Sequence, residues 1–70
     1  MNKCSSSKEM GSYLRQLRKK KGYTQAFIAE RTGFTQRMIS DIEQGKPGIS
    51  IKRYIDYAHL LGIDFYLESR

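Results

Sequence analysis

One side of a predicted helix carries four polar residues at helical spacing: Gln36, Arg37, Ser40 and Gln44. These side chains suit the edges of bases in the major groove of DNA, where arginine pairs with guanine, glutamine with adenine, and serine with several bases. Asp41 lies on the same side and could accept a hydrogen bond from cytosine or hold Arg37, four residues before it. The alternative is a solvated helix face without a ligand.

Residues for catalysis or metal binding are sparse. His59 is the single histidine and Cys4 the single cysteine, and neither has neighbours that complete a metal site or orient a base for a nucleophile. We therefore expect no metal, no cofactor and no enzymatic activity. We expect His59 to be an exposed helix residue, and a lone cysteine is typical of a reducing cytoplasm.

The charge of the chain favours an anionic partner. Thirteen basic residues against seven acidic ones give a net charge of +6 over 70 residues, and nucleic acid, an anionic membrane and an acidic protein all satisfy that charge. No apolar run approaches the ~18 residues of a membrane span, and the polar start of the chain lacks the apolar core of a signal peptide. We expect a cytoplasmic, nucleoid-associated protein with no membrane contact.

Four helices are expected, because a hydroxyl residue that can cap a helix and a glycine that can end it recur four times. The expected helices cover about residues 7–21, 25–32, 36–44 and 51–61. Apolar residues at helical spacing indicate the buried side of the first and the fourth. They are Met10, Leu14 and Leu17 in the first, and Ile51, Tyr54, Ile55, Ala58 and Leu61 in the fourth. The fold class predicted is all-α.

The second and third helices have the size and the glycine turn, at Gly33, of a helix-turn-helix unit. In such a unit the second helix enters the major groove of DNA. The third helix would then present its polar side to the bases and bury Ile39 and Ile42 on the other side.

The C-terminal segment Ile63–Glu68 alternates apolar and polar residues, a pattern typical of a strand, and no other segment of the chain resembles a partner strand. We expect it to pair with its own copy in a two-fold homodimer. The dimer contact would comprise Leu60, Ile63, Phe65 and Leu67. The alternative is a fifth helix over Asp64–Ser69. The expected divisions are a flexible tail at 1–7, a helix-turn-helix domain at 8–62 and a dimerisation segment at 63–70.

Residues 14–61 resemble the XRE-type helix-turn-helix family, which includes the Cro and lambda-type phage repressors. The resemblance lies in the spaced motifs Leu14-x-x-Leu17-Arg18, Gly22-x-Thr24-Gln25, Ile28-Ala29, Gly33-Phe34-Thr35, Ile39-Ser40-x-Ile42-Glu43-x-Gly45-Lys46 and Ala58-x-x-Leu61-Gly62. It implies a lambda-repressor-like bundle of four or five helices that binds operator DNA as a dimer. Thr32, where a leucine is common, and Phe27, where a polar residue is usual, depart from the pattern.

The resemblance also implies roles for individual residues. Base contacts would come from Gln36, Arg37, Ser40 and Gln44, phosphate contacts from Gln25, Thr35 and Lys46, and a structural ion pair from Arg18 and Glu43. A dimer would place two recognition helices about 34 Å apart, so that the operator is an inverted repeat.

The C-terminal strand resembles the HipB-type antitoxins. This resemblance implies a regulator that represses its own operon and binds a HipA-like toxin kinase. A stand-alone phage-type or chromosomal repressor is the alternative, and a protein-interaction module that has lost DNA binding is a further one. Binding to duplex DNA that weakens steeply as salt rises would separate a DNA reader from such a module.

Overall fold

A computed structural model describes residues 6–64 and residue 69. Four α-helices follow one another: α1 Ser7–Lys20, α2 Gln25–Thr32, α3 Gln36–Gln44 and α4 Ile51–Leu60. The described part of the chain is all-helical, which confirms the predicted class for this region. The two helices of the helix-turn-helix unit have the predicted bounds, and α1 ends one residue early because Lys21 is its C-cap.

Local capping explains where each helix begins. At all four N-termini a hydroxyl oxygen accepts a hydrogen bond from the backbone N–H three residues later, and the four caps are Ser6, Thr24, Thr35 and Ser50. At the other end of α2 and of α3, Gly33 and Gly45 adopt positive φ angles of 79° and 66°. Glycine reaches this left-handed conformation without a steric penalty, so the chain can turn sharply there.

The core is built from all four helices and the residue after α4. Its buried apolar members are Leu14, Ile28, Ala29, Ile39, Ile42, Tyr54, Tyr57, Ala58 and Leu61. The predicted apolar stripe of α4 is wrong at its first residue, because Ile51 is 60% exposed. Tyr57, which the stripe left out, is fully buried instead. Its hydroxyl donates a hydrogen bond to Glu43 within the core, so its polar atom is satisfied there.

Helix α1 crosses the C-terminal end of α3 at very short range. A Cβ atom on Gly11 would lie 2.2 Å from the carbonyl oxygen of Ile42, and one on Gly45 would lie 2.4 Å from the Cα of Lys8. The Ser7 hydroxyl also donates to the carbonyl oxygen of Gly45, at 3.3 Å. The absence of a side chain at Gly11 and Gly45 therefore allows α1 to hold the last turn of α3.

After α4 the chain turns back over the core. The Ile63 N–H donates to the carbonyl oxygen of Ala58 at 2.9 Å, and Leu60 and Ile63 pack partly buried against the core. Ile63 and Asp64 lie in neither a helix nor a strand. Phe65 and Leu67, and with them most of the segment for which a strand or a fifth helix was predicted, lie outside the described residues.

Candidate nucleic-acid interface

The two sides of α3 differ in burial. Ile39 and Ile42 are buried in the core, whereas Gln36 and Arg37 in the first turn are exposed, as is the N-cap residue Thr35. Two apolar side chains on one side thus fix which way the polar side points. The first turn of α3 presents a glutamine amide and a guanidinium group to solvent.

Further along the same polar side, two predicted base-contacting residues bind each other. The Gln44 amide nitrogen donates to the Ser40 hydroxyl at 2.9 Å. This bond leaves the Gln44 carbonyl oxygen and the Ser40 proton for other partners. The structure therefore presents Ser40 and Gln44 as a pre-formed pair of polar groups.

Asp41 does not hold Arg37, the role that the spacing suggested. Its carboxylate lies 3.1 Å from the Lys46 ammonium group, beyond the end of α3. The Lys46 N–H also donates to the carbonyl oxygen of Asp41, so the turn after α3 brings these two residues together. Within residues 6–64, Arg37 has no acidic partner, and Lys46 is exposed but paired.

Glu43 lies behind the polar side, at the centre of a buried hydrogen-bond network. Arg18 donates to both of its carboxylate oxygens, at 2.6 and 3.2 Å, which forms the ion pair that the resemblance implied. Tyr57 donates through its hydroxyl at 2.5 Å and Gln25 through its amide nitrogen at 3.0 Å. Arg18 also donates to the carbonyl oxygen of Tyr23 at 2.8 Å. The network therefore links α1, α3 and α4 to the start of α2.

The protonation states within this network follow from burial and hydrogen bonding. Burial alone raises the pKa of Glu43, but hydrogen bonds from Arg18, Tyr57 and Gln25 outweigh it, so the pKa lies below its ordinary value of 4.5. The hydrogen bond to Glu43 raises the pKa of Arg18, and burial, with the hydrogen bond to Glu43, raises the pKa of Tyr57. At neutral pH the network holds a carboxylate, a guanidinium group and a neutral phenol.

Gln25, predicted to contact phosphate, belongs to this network. Its side chain is half-buried, and its amide nitrogen is held by Glu43 through one hydrogen atom. An amide nitrogen carries two donors, so one remains for an outside acceptor. Glu43 therefore orients Gln25 at the edge of the interface.

An open groove of about 630 Å³ lies between α1, the start of α2 and the second half of α3. It brings together three of the predicted DNA-contacting residues, Gln25, Ser40 and Gln44, with Glu43 in its lining. Its other lining residues all come from α1: Lys8, Ser12 and Arg15. Thr35, Gln36, Arg37 and Lys46 lie outside the groove lining.

A family model described as Helix-turn-helix matches residues 14–67, which include α2, α3 and α4. The chain belongs to the XRE-type helix-turn-helix family. One curated relative of this helix-turn-helix chain is an uncharacterized HTH-type transcriptional regulator, y4dJ, of Sinorhizobium fredii (strain NBRC 101917 / NGR234). The two are 34% identical over 56 residues, which is 80% of this chain and 73% of the relative.

Solved structures share the fold of this helix-turn-helix chain almost end to end. A HipB-O1-O2 complex matches with a TM-score of 0.88 and 20% identity, over 99% of this chain and 100% of that one. A HipB-O4 20mer complex matches with the same TM-score and identity, over 99% and 97% of the two chains. At this identity the likeness establishes a common fold.

The two departures from the family pattern have local explanations in the helix-turn-helix unit. The Thr32 hydroxyl donates to the carbonyl oxygen of Ile28 at 2.8 Å and accepts from the Phe34 N–H at 3.2 Å, so it closes the end of α2. The Phe27 ring lies 4.6 Å from the ring of Tyr23, and the Arg31 guanidinium carbon lies 4.9 Å above it. Phe27 thus makes an additional contact between its aromatic ring, the ring of Tyr23 and the guanidinium group of Arg31.

Over the described ranges 6–64 and 69, no three histidine, cysteine, aspartate or glutamate side chains gather closely enough to bind a metal ion. His59 of this helix-turn-helix chain is exposed, and its imidazole lies 4.0 Å from the Asp64 carboxylate. Among the helices described, none is long and apolar enough to cross a bilayer.

Sequence reasoning missed three residues that shape the site. Tyr57 lies three residues after Tyr54 and four before Leu61, so the helical period could have placed it on the buried side. Arg15 lies in a helix rich in basic residues, and no sequence signal indicates that it borders a groove. The need for glycine at position 11 arises only where two helices meet, so no local pattern could have revealed it.

Proposed function

We propose that this chain, a DNA-binding transcriptional regulator of the XRE type, reads an operator through α3 and represses its own operon as a HipB-type antitoxin. The observation that carries the DNA reading is the exposed first turn of α3. Gln36 and Arg37 are exposed there while Ile39 and Ile42 anchor the helix in the core. A recognition helix requires this combination of free polar groups on a rigid support.

Base reading and backbone positioning fall to different residues. Gln36, Arg37, Ser40 and Gln44 contact base edges, and their exposure or half-exposure along one side of α3 supports this role. Gln25, Thr35 and Lys46 contact phosphates, which fixes the register of the domain but carries no sequence information. The net charge of +6 supports attraction to the DNA backbone.

The DNA-binding domain comprises residues 8–62, and the dimerisation segment comprises residues 63–70. Of the tail predicted at 1–7, Ser6 and Ser7 already cap and begin α1. In the dimer, the segments pair as strands and the contact includes Leu60, Ile63, Phe65 and Leu67. Two copies of α3 then lie about one DNA turn apart, and the operator is an inverted repeat. Dimerisation also supplies apolar burial that a 70-residue chain otherwise lacks.

The antitoxin role rests on the likeness of this chain to HipB over nearly its whole length. Its partner would be a HipA-like toxin kinase, and the pair would act in the cytoplasm at the nucleoid. A stand-alone repressor is the second candidate. It is favoured by the 34%-identical relative, whose name gives it as a transcriptional regulator only.

The operator test begins with the full chain and a random duplex library. Bound duplexes are selected, sequenced and then titrated against mixed-sequence DNA of the same length. We expect an inverted repeat with half-sites about 10 base pairs apart, centre to centre, and affinity that falls steeply with salt. Recovery of no common sequence, with equal affinity for all duplexes, would contradict operator reading.

The antitoxin role requires a separate test. The chain is co-expressed with any kinase-like protein that is found to be encoded next to it, and growth, co-purification and operator occupancy are measured. Growth arrest that this chain relieves, together with a stable complex, supports the antitoxin. Operator repression without any such partner supports the stand-alone repressor.

A further inference from the structure

The groove between α1 and α3 contains more positive charge than its acidic residue can neutralise. Arg18, which is buried, donates to both carboxylate oxygens of Glu43, at 2.6 and 3.2 Å. Arg15 reaches the same carboxylate at only 3.9 Å, and its side chain is 54% exposed. Because the Arg18 pair already balances Glu43, the charges of Arg15 and Lys8 remain in excess at the groove.

The exposure of Arg15 means that this second ion pair is weak. An exposed ion pair contributes little, because water competes for both groups. Glu43 is also saturated by Tyr57 and Gln25, which donate to it within the core. Arg15 can therefore turn to an external anion without leaving a buried carboxylate unpaired.

The groove is continuous with the predicted DNA-reading side. Ser40 and Gln44 of α3 form one wall, and Gln25 stands at the start of α2. Hydrogen-bond donors and two cations thus line a single open channel beside the recognition helix. A negatively charged, extended ligand that lies against α3 would pass over Arg15.

We infer that Arg15 and Lys8 of α1 form a phosphate clamp for the DNA backbone, in the groove beside α3. The inference rests on the proposed DNA-binding function and adds a positioning element from α1 to the residues of the helix-turn-helix unit. The occupant is the sugar-phosphate backbone of duplex DNA. Arg15 offers the planar guanidinium group that pairs with phosphate through two hydrogen bonds, and Lys8 adds a point charge.

The test measures binding of the full chain to mixed-sequence duplex DNA over a series of salt concentrations. Arg15→Ala is expected to reduce the slope of log affinity against log salt by about 0.9, which is one phosphate contact. Between 50 and 200 mM salt the variant should then lose roughly threefold less affinity than the parent chain. Lys20→Ala is the matched control, because it removes one exposed charge from α1 outside the groove lining.

Two further variants separate a clamp from a structural role. Arg15→Lys keeps the charge and should recover most of the slope, while Lys8→Ala should lower it by a similar amount to Arg15→Ala. Each variant is first shown to melt within a few degrees of the parent chain. If Arg15→Ala does not fold, the salt slope of Lys8→Ala is used to test the clamp instead. The melting temperature measures stability, and the slope of log affinity against log salt measures the phosphate contact, so the two properties are measured independently.

Equal slopes for Arg15→Ala, Lys20→Ala and the parent chain would overturn the clamp while leaving the proposed function intact. Equal reductions in Arg15→Ala and in the control Lys20→Ala would also overturn it, because they would indicate a general effect of net charge. A parent chain that shows no salt-dependent binding at all would instead remove the proposed function.

Discussion

Each side of α3 carries a charged residue, and the two charges lie in opposite environments. Glu43 on the inner side is 5% exposed and receives hydrogen bonds from Arg18, Tyr57 and Gln25. Arg37 on the outer side is exposed and has no acidic partner within residues 6–64. Burial makes the inner charge depend on its partners for stability, whereas exposure leaves the outer charge free for a ligand.

This difference indicates that stability and recognition can be altered separately within one nine-residue helix. A change on the inner side should lower the free energy of unfolding, and a change on the outer side should lower affinity alone. Gln25 lies between the two sides, because Glu43 orients it while its second donor remains available.

The largest expected effect comes from Glu43→Ala, which leaves the Arg18 charge buried and deprives Tyr57 and Gln25 of an acceptor. Such a loss typically costs about 3–5 kcal/mol. Urea denaturation should show this loss of unfolding free energy. The control is Glu30→Ala, on the exposed surface of α2, whose unfolding free energy should stay close to that of the parent chain. A double-mutant cycle with Arg18→Ala should show strong coupling, and coupling near zero would contradict the buried pair.

Gly11→Ala tests the close contact between α1 and the C-terminal end of α3. Its methyl group would meet the backbone carbonyl of Ile42, so α1 and α3 must separate. Forced overpacking costs about 1–3 kcal/mol. Thermal melting should show a clear loss, while Gln16→Ala, an exposed position on the same helix, should stay near the parent. Unchanged stability in Gly11→Ala would mean that the two helices separate readily.

On the outer side, Arg37→Ala should weaken operator binding by about 1–3 kcal/mol and relax the preference at one base pair. Because its side chain is exposed, the free energy of unfolding should change by less than about 0.5 kcal/mol. The measurement is a titration on the selected operator and on random duplex, with Arg53→Ala on α4 as the control. Equal losses on both DNAs would remove Arg37 from the base-reading residues.

Acid should affect the inner side through Glu43. Since folding lowers the pKa of Glu43 below its ordinary value of 4.5, the carboxylate stabilises the folded state above that pH. This contribution is lost as pH falls through the lowered pKa. Chemical denaturation at a series of pH values below 5 should show a shallower loss in Glu43→Gln than in the parent chain. Identical pH profiles would show that Glu43 does not titrate with folding.

The smallest effect is expected for Lys46→Ala. Loss of one phosphate contact should lower affinity on every sequence and reduce the salt slope by about 0.9, without changing base preference. Lys52→Ala is the matched control, because Lys52 is also exposed and paired with an aspartate, at 2.8 Å. If both variants lower the slope equally, the Lys46 contact is not specific.

The helices and their order could be predicted from the sequence, because their causes are local. A cap and the N–H it binds are three residues apart, and the glycine turn after α2 depends on one φ angle. The amphipathic pattern of α3 likewise depends on residues within nine positions, so its buried and exposed sides were predicted correctly. The Arg18–Glu43 pair, 25 residues apart, is indicated by the position of each residue beside the apolar side of its helix, and the family resemblance also implies it.

The tertiary structure decided everything that depends on which helices meet. It exposed Ile51 at the start of α4, buried Tyr57 against Glu43, and turned Asp41 to Lys46 instead of Arg37. It also placed Arg15 beside a carboxylate 28 residues away, at the mouth of a groove. The physical reason is that periodicity defines a direction around one helix, while burial and pairing depend on the distance to another helix, and that distance is set by packing.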